Sequence, residues 1–150
     1  MDIFIINSNA KNKEEVVHEL FSFLLAKGHV KETYETAIHV REQSFPTGLE
    51  LQGEYNVAIP HAESEHVIKP AIAIGILQTP ILWENMEDPD QKIKIHLVFL
   101  LAISDPQLVV PNLKALTDNV FSNPEVVSLL RNTSDLTKTT QLLTKLVDIQ

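Results

Sequence analysis

The sequence contains no cysteine. That excludes disulfides, thiolate metal centres and cysteine nucleophiles together, and it is compatible with a reducing compartment. Proline and glycine are sparse, 8 and 4 of 150 residues, so neither a collagen-like nor a low-complexity chain fits. There is no glycine-rich phosphate loop. The longest apolar run, Leu97 to Ile103, falls well short of the about 20 residues a membrane-spanning helix needs, so no insertion into a membrane is expected. The N-terminal stretch MDIFIINSNAKNKEE has no basic segment and no small-residue cleavage site, and no secretory leader is expected from it. Positive charge is scarce, with 12 Lys and Arg against 20 Asp and Glu and a net charge of −8. Such a surface repels nucleic-acid phosphates and attracts a basic protein partner.

What is present is a chain 44 % apolar and of ordinary single-domain length, so residues 1–150 are expected to form one domain with its own core. Asp2 to Asn7 reads as a first strand. Asn12 stands three residues before Glu15, as in a capping box. Val17, Leu20, Phe21, Leu24 and Leu25 follow at helical spacing, and Gly28 can end that helix. A second helix is expected from about Lys31 to Gln43, broken by Phe45-Pro46-Thr47-Gly48. Val57 to Ile59 reads as a short strand. Ala71 to Leu77 reads as a strand covered on both faces, and Ile81 to Trp83 as a short edge strand. Glu84 to Lys92 is polar and reads as a loop, and Ile93 to Ile103 as the central strand. The C-terminal part is helical, with Pro111 near one helix start, Asn123-Pro124-Glu125 capping a second and Ser134 capping the last. These elements give an α/β domain, a mixed sheet flanked by helices on both faces.

Six histidines carry the available chemistry. His18 and His39 fall within helices and His29 follows a helix end, all three in ordinary structural positions. His96 lies in the central strand, either buried and hydrogen-bonded or turned towards a site at the sheet. His61 has a different setting. The apolar run of Asn56-Val57-Ala58-Ile59 ends in Pro60, and the rigid proline delivers the next side chain to a fixed place. Small Ala62 leaves room for a partner. His61 and His66 are five apart, with Glu63 and Glu65 nearby, which is a weak pattern for a metal. His61-Ala62-Glu63 starts like a zinc deaminase signature, but that enzyme also needs a Cys-x-x-Cys pair. From chemistry alone, His61 is either a strand-end histidine satisfied by a neighbouring carbonyl or a covalent nucleophile. A phosphohistidine carrier needs one free ring nitrogen, a partner for the other, and donors around the transferred anion. It requires no metal and no cofactor, and none is expected here.

Arg41-Glu42 followed by Phe45-Pro46-Thr47-Gly48, then Val57-Ala58-Ile59-Pro60-His61-Ala62, resembles the enzyme IIA domains of the fructose/mannitol type. These belong to the bacterial phosphoenolpyruvate-dependent sugar phosphotransferase system. The wider stretches REQSFPTGLEL, NVAIPHAESEHV and NMEDPDQ are most similar to the galactitol-type subgroup, and the resemblance runs from the first helix to the last.

The resemblance implies a cytoplasmic phosphotransferase component with a mixed sheet flanked by helices. His61 matches the histidine that takes a phosphoryl group from the phosphocarrier protein HPr. It then passes the group to a cysteine of enzyme IIB, and through it serves the membrane enzyme IIC. Arg41 matches an arginine that holds the phosphoryl oxygens, and Thr47 sits in the matching Pro-Thr element as a further hydroxyl. Glu63 is a supporting candidate beside His61: Glu63→Gln is expected to have mild effects, and a large loss would mean that it orients His61 or contacts a partner. Many relatives carry a second histidine in the loop after the central strand. Here that loop reads Ser104-Asp105-Pro106-Gln107-Leu108-Val109, and Gln107 stands in as a neutral hydrogen-bonding group. The family pattern also prefers Gly or Ala where this chain has Glu54. A regulatory module that signals through the phosphorylation state of His61 is the alternative reading. A monomer is assumed.

Overall fold

A computed structural model describes residues 1–147. Strands β1 (Asp2–Ser8), β2 (Gly48–Leu49), β3 (Val57–Ala58), β4 (Ala71–Glu84) and β5 (Lys92–Ala102) form one sheet in the order β1-β4-β5-β3-β2. The sheet is mixed: β1 runs parallel to β4 and β3 parallel to β5, while β4–β5 and β2–β3 are antiparallel. Helices α1 (Lys13–Ala26) and α2 (Tyr34–Ser44) cover one face, and α3 (Val109–Leu116), α4 (Pro124–Asn132) and α5 (Leu136–Val147) cover the other.

The two-residue period of a strand sorts its side chains between these layers. From β4, Ala71 and Ala73 pack with Val16, Leu20 and Leu24 of α1 and Ile38 of α2. Their neighbours Ile72, Ile74 and Ile76 pack with Leu116, Val127, Leu130 and Leu143 of the other layer. Both faces are therefore dry along Ala71–Leu77 of β4 and Leu97–Ala102 of β5, which explains why these stretches read as continuous apolar runs.

Local signals set the helix ends. The Asn12 side chain accepts from the Glu15 amide at 2.9 Å, and Glu15 reaches back to the Lys11 amide at 2.8 Å, a capping box shifted by one residue. Gly28, at φ +79°, ends α1. Its N–H donates to the Leu25 carbonyl and that of His29 to the Leu24 carbonyl, both at 3.0 Å, the paired bonds of a Schellman turn. Asn123 caps α4 as expected, accepting from the Glu125 amide at 3.2 Å. Two expectations need correction. The last helix is capped by Asp135, not Ser134: the Asp135 carboxylate accepts from the Lys138 amide at 3.1 Å. Ile81 to Trp83 is not a separate edge strand but the continuation of β4. Ile76 pairs with Leu97 and Ile81 with Ile95, so the segment between bulges outward around Pro80, which has no N–H for the ladder.

Two contacts aim the sheet end that matters below. Buried Tyr34, at the start of α2, donates its hydroxyl to the Leu101 carbonyl near the end of β5. Gly48 opens β2 against the turn after β4, and a Cβ built there would lie 2.5 Å from the Glu84 carbonyl oxygen. Gly48→Ala is expected to cost about 1–3 kcal/mol of stability in denaturant unfolding. Unchanged stability would mean that β2 can shift away from Glu84 freely.

Candidate active site

The chain leaves β3 through Ile59-Pro60 and delivers His61 to the carboxyl end of β5. The Leu101 amide donates to the Pro60 carbonyl at 3.1 Å, and His61 faces Leu101 as a parallel bridge partner. The placement follows from two rigid neighbours. Proline fixes its own φ, and it confines the residue before it to extended geometry.

The His61 ring is half-buried and its Nδ1 lies 2.8 Å from the Ile59 carbonyl oxygen. A carbonyl only accepts, so Nδ1 carries the proton and donates it. Nε2 is then the unprotonated nitrogen of the neutral ring, with no hydrogen-bond partner among the described residues. Burial lowers the His61 pKa; the Ile59 carbonyl opposes that shift, Arg41 adds to it and Glu63 opposes it, with a net lowering. The imidazole is the nucleophilic form, so its supply extends to lower pH than for a free ring. We expect the His61 ring, followed by NMR, to titrate below 6.5, with phosphoryl acceptance lost only as pH falls through that midpoint. The same group favours the fold above about 6.5 and withdraws that contribution as pH falls through its folded value. A midpoint above 6.5 would show that the Ile59 carbonyl and the Glu63 carboxylate together outweigh burial.

Arg41 comes from the last turns of α2. Its guanidinium lies 5.6 Å from the Phe45 ring centre, and one terminal nitrogen is 3.7 Å from a Glu63 carboxylate oxygen. Its Nε is buried with no hydrogen-bond partner. Arg41 and Glu63 line a shallow pocket of about 330 Å³ with Ala37, Val40, Ser44 and Phe45. Glu63 is 55 % exposed and pairs with Arg41 rather than with His61. A larger cavity of about 590 Å³ lies between Leu51–Tyr55 and α4, and neither His61 nor Arg41 lines it. A phosphoryl group carried between two proteins needs an accessible nitrogen more than a deep cavity.

Thr47 is 4 % exposed, and its hydroxyl is engaged inward. It donates to a Glu42 carboxylate oxygen and accepts from the Ile59 amide at 3.2 Å, so it braces the strand behind His61 rather than facing the incoming group. His96 is not part of the site. It accepts at Nδ1 from the Asn56 amide at 3.1 Å and packs against the Tyr55 ring. It stands five strand positions before Leu101, His61's partner, which is roughly 16 Å along β5. Gln107 lies on the exposed turn that follows β5, at the same end of the sheet as His61, and its side chain makes no hydrogen bond among the described residues. His66 is held by the Thr33 hydroxyl at 2.8 Å. No group of three His, Asp or Glu side chains suited to a metal occurs among the described residues.

One acid that the sequence offers only as Arg41's neighbour is buried behind the site. Glu42 is 4 % exposed, and its carboxylate accepts from the Thr47 hydroxyl, the Thr47 amide at 3.2 Å and the Trp83 indole at 3.0 Å. Burial raises its pKa, against the lowering effect of those donors.

A family model described as "Phosphoenolpyruvate-dependent sugar phosphotransferase system, EIIA 2" matches residues 1–146. The chain belongs to this family. Among its relatives, the galactitol-specific EIIA component of Escherichia coli (strain K12) is 30 % identical over 119 residues, covering 79 % of this chain and 77 % of that protein. The crystal structure of IIA mannitol from Escherichia coli shares the fold, with a TM-score of 0.71 at 23 % identity over 98 % of this chain and 96 % of that one. The same holds for enzyme IIA of the mannitol system in its complex with phosphorylated enzyme IIB from Escherichia coli, with a TM-score of 0.70 at 23 % identity over 97 % and 93 %. Membership in this EIIA family makes the chain a phosphocarrier of a sugar phosphotransferase system, and so a transferase. No helix among the described residues is long and apolar enough to cross a membrane.

Proposed function

We propose that His61 accepts a phosphoryl group from phospho-HPr at Nε2 and passes it to a cysteine of a cognate enzyme IIB, in the cytoplasm, during uptake of a galactitol-like sugar. The observation that carries the reading is the Nδ1–Ile59 bond, which leaves Nε2 as the free nucleophile, within reach of the Arg41 charge that acts on the ring. In the first step the Nε2 lone pair attacks phosphorus and the donor's N–P bond breaks with its electron pair returning to the donor, while the proton stays on Nδ1, donated to the Ile59 carbonyl. In the second, the enzyme IIB thiolate attacks phosphorus in line, the N–P bond breaks with its electron pair returning to Nε2, and neutral His61 is restored. Both steps depend on positioning and on donors for the equatorial oxygens, which is the role of Arg41. The net charge of −8 suits docking onto a basic donor surface.

The test is transfer from labelled phosphoenolpyruvate through enzyme I and HPr, followed by a chase with enzyme IIB. Acid-labile label mapping to the His61 peptide, and discharged by an enzyme IIB with its cysteine intact, is the expected result. Label on another peptide would overturn the site assignment. Label on His61 that no enzyme IIB discharges would overturn the transport role and favour a regulatory one.

A further inference from the structure

The backbone that holds His61 is itself held by a buried acid. The Ile59 amide is shared between the Thr47 hydroxyl at 3.2 Å and the Thr47 backbone carbonyl at 3.3 Å. A hydroxyl has a single proton, and with a lone pair given to Ile59 that proton goes to Glu42. Donation thus runs one way, from Ile59 through Thr47 to the carboxylate. Glu42 is fixed in turn by the Thr47 amide at 3.2 Å and the Trp83 indole at 3.0 Å, which tie the end of α2 to the far half of β4. Ile59 is pinned at its amide end by Thr47 and restricted at its carbonyl end by Pro60. Its carbonyl therefore points one way, and that carbonyl receives the His61 Nδ1–H at 2.8 Å.

We infer that Glu42 is a positioning residue for His61: through the Thr47 hydroxyl it sets the Ile59 carbonyl, and so the ring orientation and tautomer that present Nε2. This deepens the phosphocarrier reading and rests on it for its catalytic consequence. A carboxylate is costly to bury unless donors surround it. A merely structural tie between α2 and β2 needs only the Thr47 amide, whereas the hydroxyl carries the link on to the Ile59 amide, where it adds to the Thr47 carbonyl bond.

The experiment compares Thr47→Val, Thr47→Ser and Glu42→Gln with the full-length wild type. Two readouts are used: the His61 ring ¹⁵N shifts of the unphosphorylated protein, which report the Nδ1–H tautomer, and the rate of phosphoryl acceptance. Thr47→Val keeps the shape and loses the hydroxyl. It is expected to fold, to populate both tautomers, and to accept phosphate roughly ten-fold more slowly, since small misplacement of a reacting group costs one to two orders of magnitude. Thr47→Ser is expected to restore both readouts, and Glu42→Gln to shift the tautomer as Thr47→Val does. Glu42→Asp, which draws the carboxylate back from Thr47, replaces Glu42→Gln if that variant does not fold. A wild-type tautomer signature in folded Thr47→Val, or in the folded Glu42 variant, would overturn the inference whatever the rate. A wild type that takes up no phosphate would instead remove the phosphocarrier reading, and the tautomer comparison would still decide the positioning role.

Discussion

His61→Ala is expected to fold as the wild type does and to accept no phosphoryl group. Wild type should take up stoichiometric label through enzyme I and HPr, and the variant none. The loss is complete because the described residues offer no second nucleophile at this place. His96 lies midway along β5, five positions before Leu101, bonded to the Asn56 amide, and His66 is engaged by Thr33. The loop after β5 carries Gln107, whose amide cannot form a phosphoramidate under these conditions. The fold should survive because the ring is half-buried and makes one hydrogen bond, to Ile59, and the bridge to Leu101 uses backbone atoms alone. Loss of that bond is worth about 0.5–1.5 kcal/mol, and water can reach the freed carbonyl. A thermal melt close to wild type together with absent label separates chemistry from folding. Residual stoichiometric labelling of the variant would place the acceptor elsewhere.

The residues that were legible in the sequence are those whose partners are close along the chain. Asn12 with Glu15, Gly28 after Leu25, and Asn123 before Pro124 each act within a few residues, and each sits where its type predicts. The place of His61 beyond a strand end was legible for the same reason, because a proline at the end of an apolar strand is a local signal. The mixed sheet with helices on both faces followed from the apolar runs of β4 and β5. The continuation of β4 past Gln78 was not legible, because exposed residues and a proline look like a strand end while the bulge that absorbs them depends on β5. The inward turn of the Thr47 hydroxyl and the burial of Glu42 were hidden for a similar reason. The Trp83 indole that completes the carboxylate's shell lies 41 residues away. An acid beside an arginine ordinarily reads as a solvated helix end, and nothing local distinguishes this one. His96 misleads in the opposite sense, since a histidine in a central strand looks poised, and only strand register puts it far from His61.

Arg41→Lys is expected to slow phosphoryl transfer about 10²-fold while leaving the fold and the His61 titration nearly unchanged. The reasoning separates the charge of Arg41 from its shape. As a charge, Arg41 lowers the His61 pKa, although less than burial does. A lysine keeps that charge, so the titration midpoint should hardly move. As a shape, the guanidinium presents a planar fork that can bind two oxygens of one phosphoryl group, and an ammonium cannot reproduce that. Removing one preorganised donor from a developing anion typically costs 10²–10³ in rate, and the lower figure suits a side chain 36 % exposed. Stability should change by less than about 1 kcal/mol, because the Arg41–Glu63 pair is solvent-exposed and long at 3.7 Å. Arg41→Gln completes the comparison: with the charge gone the His61 midpoint should rise, and transfer should fall at least as far as in the lysine variant. If Arg41→Lys transfers at the wild-type rate and Arg41→Gln does not, positive charge alone suffices and the fork has no role in holding the phosphoryl group. If both variants transfer at the wild-type rate, Arg41 does not act on the phosphoryl group at all, and Nε2 of His61 must find its donors on the partner protein.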